Sequence, residues 1–162
     1  MSRLDSVIRR LEAQRACLEQ AVELVRDLPG PVFELGFGQG RTYDHLREIC
    51  PGREIFVFDR QVAADADYGP DADHLFLGDI RDTLPAAAAR FGRSVPLVHS
   101  DIGTGDAARN ARVAAFLATQ LPGLLRPGGL VVADQDMAFP RAVAVALPEG
   151  VGPGRYFMYR AD

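Results

Sequence analysis

The stretch Pro31-Val32-Phe33-Glu34-Leu35-Gly36-Phe37-Gly38-Gln39-Gly40-Arg41-Thr42 constrains the fold of this chain more than any other. Val32, Phe33 and Leu35 are apolar strand formers, and three glycines at alternate positions follow at once. Without a Cβ, Gly36, Gly38 and Gly40 let the backbone turn sharply and come close to a ligand. The pattern predicts a short buried strand, a glycine turn, and a helix whose first amides face whatever lies above the turn. A dinucleotide fingerprint needs Gly-x-Gly-x-x-Gly; Arg41 stands where its third glycine would fall, which disfavours a nicotinamide oxidoreductase. The plain alternative is a tight strand–helix connection with no ligand.

A chain of 162 residues is expected to form a single domain, 1–162. Within it, 1–30 forms an amphipathic helix and 31–162 an α/β core. Its 48% apolar and 25% charged residues are ordinary for a globular protein. A net charge of -4 advertises no nucleic-acid surface, and no apolar run approaches the roughly 20 residues of a membrane span. The charged, amphipathic N-terminus does not read as a signal peptide. Cys17 and Cys50 lack metal-ligand spacing and read as reduced packing residues of a cytoplasmic protein. Every basic residue except the histidines is arginine, which reflects base composition more than function.

Leu4, Ile8, Leu11, Leu18, Val22 and Val25 fall on one stripe of a helix from Ser2 to Leu28. Ser2 and Asp5 form a capping pair, and Pro29-Gly30-Pro31 ends the helix. It either packs on the sheet edge as added core, or closes over the cleft or pairs with a second subunit as a homodimer. A second helix spans Gly40 to Cys50. Glu54 to Phe58 then reads as a strand buried on both faces, ending in Asp59-Arg60 about twenty residues after the glycine turn, where an acidic side chain meets ribose hydroxyls in nucleotide-binding α/β folds. Residues 60–73, with Asp65, Asp67, Asp71 and Asp73, read as a short helix and a solvated loop.

His74 to Leu77 is a third strand, followed by Gly78-Asp79-Ile80 and a helix from Arg81 to Phe91. Pro96 to His99 is a fourth, running into Ser100-Asp101-Ile102-Gly103. His99 and Asp101 share a side by strand alternation; His99 is a general base or a hydrogen-bonded structural histidine. Asp106 caps a helix through Leu121. Leu130 to Ala133 is a fifth strand, and Ala142–Leu147 with Arg155–Arg160 make a closing hairpin in which Tyr156, Met158 and Arg160 alternate against Phe157 and Tyr159. The run 142–147 is alternatively helical, since alanine favours helix.

An acidic residue, one spacer and Gly-x-Gly-x-Gly, here Glu34 to Gly40, resembles the first motif of the class I S-adenosylmethionine-dependent methyltransferases. Asp59, Asp79-Ile80, the loop from Ser100, and Leu124-Leu125-Arg126-Pro127-Gly128-Gly129-Leu130 fit that family's later positions in order. The resemblance implies a doubly wound, mostly parallel Rossmann-like sheet with an antiparallel C-terminal hairpin strand. The first helix is an addition to it, and the usual helix after the fifth strand is shortened or missing.

The resemblance also implies S-adenosylmethionine as cofactor. Gly36, Phe37, Gly38 and Gly40, with Thr42, would form the floor under its methionine part. Asp59, with Arg60, would hold the ribose. Asp79 would meet the adenine amino group, or cap the following helix, and Ile80, after Gly78, would pack on the ring. Glu34 would order the turn or meet the amino group through water. Ser100 and Asp101 would face the methionine end or the acceptor.

The family's base-methylating branch carries Asn or Asp, Pro-Pro and an aromatic where this chain has Ser100-Asp101-Ile102-Gly103, which disfavours a DNA base. A small-molecule acceptor is expected, with no nucleic acid and no membrane. No catalytic residue is singled out, because the cofactor brings its own leaving group. Asp101, Asp134 and Gln135 also resemble the oxygen ligands of metal-assisted O-methyltransferases, with Gln for Asn and no lysine base. A protein that binds the cofactor without turnover is the remaining reading.

Overall fold

The computed structural model describes residues 1–62 and 69–162. Asp65, Asp67 and Tyr68, part of the expected helix and loop, lie outside them; Ala72–His74 forms a 3-10 turn capped by Asp71. The strands are β1 (Val32–Leu35), β2 (Ile55–Asp59), β3 (Leu75–Leu77), β4 (Val95–Ser100), β5 (Leu125–Ala133), β6 (Val143–Ala144) and β7 (Phe157–Arg160). They form one sheet in the order β3-β2-β1-β4-β5-β7-β6. The first five are parallel, and β7 runs antiparallel between β5 and β6. Strand order reverses between β1 and β4, which places a crevice at their carboxyl ends.

Helices α1 (Arg3–Leu24) and α2 (Arg41–Ile49) cover one face; α3 (Ile80–Phe91) and α4 (Ala107–Gln120) cover the other. Alternation along the strands divides the core. Val32, Val57, Leu97, Val132 and Met158 pack under α1 and α2, while Phe33, Phe56, Phe58, Val98 and Val131 pack under α3 and α4. On the second face Phe58 stacks on Phe76 with ring centroids 4.6 Å apart, bracing the ends of β2 and β3 where the crevice begins.

The structure departs from these expectations at α1, at β5 and in the run 142–147. The apolar stripe of α1 is not buried along its length: Leu4 (67% exposed) and Ile8 (44%) remain open, as does Val7 beside them (49%), and burial begins at Ala13. A helix of 22 residues is roughly 33 Å long, and its first turns overhang the sheet. Nor does α1 sit on the sheet edge; it lies across a face, against β4, β5 and α2. Arg126-Pro127-Gly128-Gly129, ahead of the expected strand Leu130 to Ala133, lies inside β5, where the register to β4 shifts between Val95 and Leu97. Gly129 is required there, because a Cβ would come within 2.9 Å of the Arg126 carbonyl. The run 142–147 contributes only the two residues of β6. No helix intervenes between β5 and β6.

Candidate active site

The glycine turn places its backbone by left-handed geometry: φ is 91° at Gly36, 53° at Gly38 and 76° at Gly40. At Gly36 a Cβ would lie 2.7 Å from the Asp101 carbonyl and 2.6 Å from Ile102 Cγ2, so the loop after β4 closes on the turn only over glycine. At Gly38 a Cβ would meet nothing within 4 Å, which leaves open space above the turn. At Gly40 it would strike the Phe37 ring at 2.8 Å. That ring is buried and packs on Tyr43, with centroids 5.5 Å apart.

Asp59, at the end of β2, is fastened to this turn. Its Oδ2 accepts from the Phe37 N–H at 2.7 Å and the Gly38 N–H at 3.4 Å, and its Oδ1 accepts from Gln61 N–H at 3.3 Å. The carboxylate therefore stands at the mouth of the turn with acceptor capacity remaining on Oδ1. A cleft of about 530 Å³ opens beside it, lined on the near side by Gly36, Gly38, Phe58, Asp59, Arg60, Gly78 and Ile80. Its far side is Asp101, Ile102 and Gly103 after β4, with Arg109, Arg112 and Val113 on α4; Arg81, next to Ile80 at the start of α3, lines the near side.

Seven of the residues singled out in the sequence meet in this cleft: Gly36, Gly38, Asp59, Arg60, Gly78, Ile80 and Asp101. The others lie beside or beneath it. Phe37 turns its side chain into the core and offers only its N–H. Asp79 caps α3, accepting from Arg81 N–H at 2.9 Å, and its other oxygen is held by Arg60 at 2.6 Å. The Arg81 amide and the Arg60 guanidinium keep this carboxyl below the usual range. Ser100 is wholly buried, and its hydroxyl has no partner among the described residues. Sequence reasoning passed over Arg109, Arg112 and Val113; their i, i+3, i+4 spacing on a helix following the loop from Ser100 was the available signal.

Glu34, Thr42 and His99 belong to a buried chain of hydrogen bonds behind the cleft. The Thr42 hydroxyl donates to Glu34 Oε1, fastening α2 to β1. Glu34 Oε2 lies 2.7 Å from His99 Nδ1, and His99 Nε2 lies 2.7 Å from the Tyr156 hydroxyl. Gln14 of α1 donates through Nε2 to that hydroxyl and to Asp101 Oδ2, both at 2.8 Å. Asp101 Oδ1 is 3.4 Å from Arg10. Glu34, His99, Tyr156 and Gln14 are all buried.

Burial disfavours a charged His99, but the attraction and hydrogen bond of Glu34 outweigh it, so its pKa stands above the ordinary value. Burial, and the charge of Asp101 after it, push the Tyr156 phenol well above its usual range, so it stays protonated. His99 thus takes the structural place of the two offered by the sequence: it is sealed from the cleft.

Of the oxygen set suggested for a metal, Asp101 lines the cleft, whereas Asp134 is turned inward. Asp134 Oδ2 accepts from Gly103 N–H at 2.9 Å and from the Gln135 side-chain amide at 3.3 Å. Burial and the nearby Asp101 raise the Asp134 pKa. Among the described residues no three His, Cys, Asp or Glu side chains converge to hold a cation.

A family model described as S-adenosyl-L-methionine methyltransferase matches residues 1–161. A search of curated proteins returns no match. Among solved structures, an S-adenosyl-L-methionine methyl transferase from Silicibacter pomeroyi is 46% identical with a TM-score of 0.94, covering 100% of this chain and 99% of its own. Human methyltransferase-like protein 13, solved with SAH (S-adenosylhomocysteine), shares 14% identity with a TM-score of 0.57, over 93% of this chain and 81% of its own. A 16S rRNA adenine methyltransferase from Catenulisporales acidiphilia shares 12% with a TM-score of 0.51, over 89% and 90%. The last two likenesses speak for the fold alone. Matched by that model over nearly its whole length, and sharing its architecture with the Silicibacter protein, the chain belongs to the S-adenosyl-L-methionine methyltransferase family and uses S-adenosyl-L-methionine as its cofactor.

Proposed function

We propose that this protein transfers the methyl group of S-adenosyl-L-methionine to a small-molecule acceptor in the cleft at the carboxyl ends of β1, β2 and β4. The observation that carries the reading is the Asp59 carboxylate, hydrogen-bonded to the glycine turn at 2.7 Å, standing at the edge of an open cleft. Bare space above Gly38 fits a cofactor lying close to the backbone. Asp59 Oδ1 fits a hydroxyl donor, and the apolar walls of Phe58, Ile80 and Val113 fit a ring.

In this reading Gly36 and Gly38 form the floor under the methionine part, Asp59 holds the ribose, and Ile80 with Phe58 borders the adenine. Asp101 faces the methionine ammonium, fixed by Gln14 and Arg10. When bound, the cofactor supplies an electrophilic methyl on a sulfonium that is already a good leaving group. The chain's own contribution is to hold the partners in line and exclude water. Phe37, Gly40 and Thr42 act from beneath, by fixing the turn. Asp79 keeps Arg60 and the start of α3 in place.

The fold does not select the acceptor, since a neighbour named for 16S rRNA shares it. The overall charge of -4 and a cleft of about 530 Å³ favour a small molecule. The test is transfer of label from methyl-labelled S-adenosyl-L-methionine into a metabolite extract and, separately, into total RNA. Label in a low-mass product supports the proposal. Label in RNA alone would overturn the small-molecule reading. Tight cofactor binding with no transfer to either would favour a binder without turnover.

A further inference from the structure

The cleft carries more positive charge than its cofactor can use. Among the described residues four arginines line it, Arg60, Arg81, Arg109 and Arg112, against two carboxylates, Asp59 and Asp101. Both carboxylates are already engaged: Asp59 by the amides of the glycine turn, Asp101 by Gln14 and Arg10. Arg60 and Arg81 share Asp79, at 2.6 and 3.8 Å. Arg109 and Arg112 are exposed and make no ion pair among the described residues. They stand three apart on α4 and so face the same way, beside Val113.

S-adenosyl-L-methionine does not neutralise this wall. It carries a sulfonium and an ammonium against a single carboxylate, and so adds a positive charge to a site that already has an excess. In a molecule whose overall charge is -4, arginines gathered on one cleft are a local departure. Their fork of donors suits an oxyanion above other ligands.

Resting on the cofactor reading above, we propose that Arg109 and Arg112, with Arg81 opposite, form the anion subsite of the methyl acceptor, which is a small molecule bearing a phosphate group. The phosphate docks on α4 and neutralises the far wall, and the reacting atom is thereby held toward the glycine turn. Nucleic acid supplies phosphate too. However, the three arginines converge on one cleft instead of forming a stripe along which a backbone could run, so a compact ligand is favoured.

The probe is inorganic pyrophosphate, titrated by calorimetry at low ionic strength into the protein saturated with S-adenosylhomocysteine. Wild type is compared with the double variant Arg109→Gln/Arg112→Gln and with Arg3→Gln, an exposed arginine of α1, as control. The proposal expects pyrophosphate binding that weakens by at least about tenfold in the double variant, as befits loss of charge-assisted contacts, and is unchanged in Arg3→Gln. S-adenosylhomocysteine affinity should fall by less than pyrophosphate affinity does, since the cofactor reading rests on Asp59, the glycine turn and the apolar walls of Phe58, Ile80 and Val113.

Absence of pyrophosphate binding, or equal binding in the double variant, would overturn the subsite while leaving the cofactor reading intact. A large loss of S-adenosylhomocysteine affinity would reassign these arginines to the cofactor. A short single-stranded RNA that binds far more tightly than pyrophosphate would overturn the compact ligand. Failure of wild type to bind S-adenosylhomocysteine would instead strike at the cofactor reading itself. Thermal melts of each variant establish that it is folded.

Discussion

Asp59 performs two tasks with one carboxylate. One oxygen satisfies the turn amides of Phe37 and Gly38, which would otherwise face the cleft unpaired; the other is lightly held by Gln61 and faces the cleft mouth. The first task belongs to folding and the second to binding, so a suitable substitution separates them. Asn keeps an acceptor for the Phe37 N–H but loses the charge and one acceptor oxygen. Asp59→Asn is expected to weaken S-adenosylhomocysteine binding by about tenfold or more, roughly 1.4 kcal/mol. Its melting temperature should fall by no more than a few degrees. Calorimetric titration beside thermal melts checks this; equal affinity in the variant would remove Asp59 from the cofactor site. Both cysteines are sealed in the core, and burial pushes the Cys17 thiol up to about 11, as suits a packing residue.

Among the elements, α1 departs furthest from what its sequence suggests. Its apolar stripe reads as a uniform amphipathic helix, yet the contribution that matters is polar: Gln14 enters the core to hold both Tyr156 and Asp101. Replacing Gln14 with leucine keeps the volume but leaves the Tyr156 hydroxyl and Asp101 Oδ2 without their shared donor. Gln14→Leu is expected to lower stability by about 1–3 kcal/mol, read by urea denaturation, and to weaken cofactor binding severalfold as Asp101 loses its support. Unchanged values for both would show the bonds to be incidental.

The strands were legible because continuous apolar runs such as Ile55–Phe58 and Leu130–Ala133 suit a buried parallel sheet; the doubly wound architecture followed only from the family resemblance. The cleft residues that terminate those strands were legible for the same reason, as with Asp59 after β2. Gln14 was not, because a lone glutamine on a helix has no periodic signature. Nor was the inward turn of Phe37, which depends on Gly40 leaving room for its ring. Asp79 could be read either way from sequence; the cap it makes is local, whereas the Arg60 contact spans 19 residues.

At the scale of the whole molecule, the chain from Thr42 through Glu34, His99, Tyr156 and Gln14 to Asp101 joins α2, β1, β4, the C-terminal strand region and α1 across one face of the sheet. It ties the glycine turn to the loop after β4 from behind. Because the pKa of His99 is raised from 6.5, the stability this group contributes is complete below about its unfolded value and is lost as pH rises through its folded value. The stability difference between wild type and His99→Gln should therefore shrink as pH rises above the ordinary histidine value of 6.5, as measured by chemical denaturation. A difference that is constant with pH would mean His99 does not titrate in this range.

Every assignment above depends on the cleft between the glycine turn and the loop after β4 being the cofactor site. A crystal structure of the complex with S-adenosylhomocysteine tests this most directly. The expected complex has the ribose hydroxyls on Asp59 and the homocysteine part across Gly36 and Gly38, with its amino group toward Asp101. A ligand bound elsewhere on the molecule, with Asp59 touching only the turn, would contradict it.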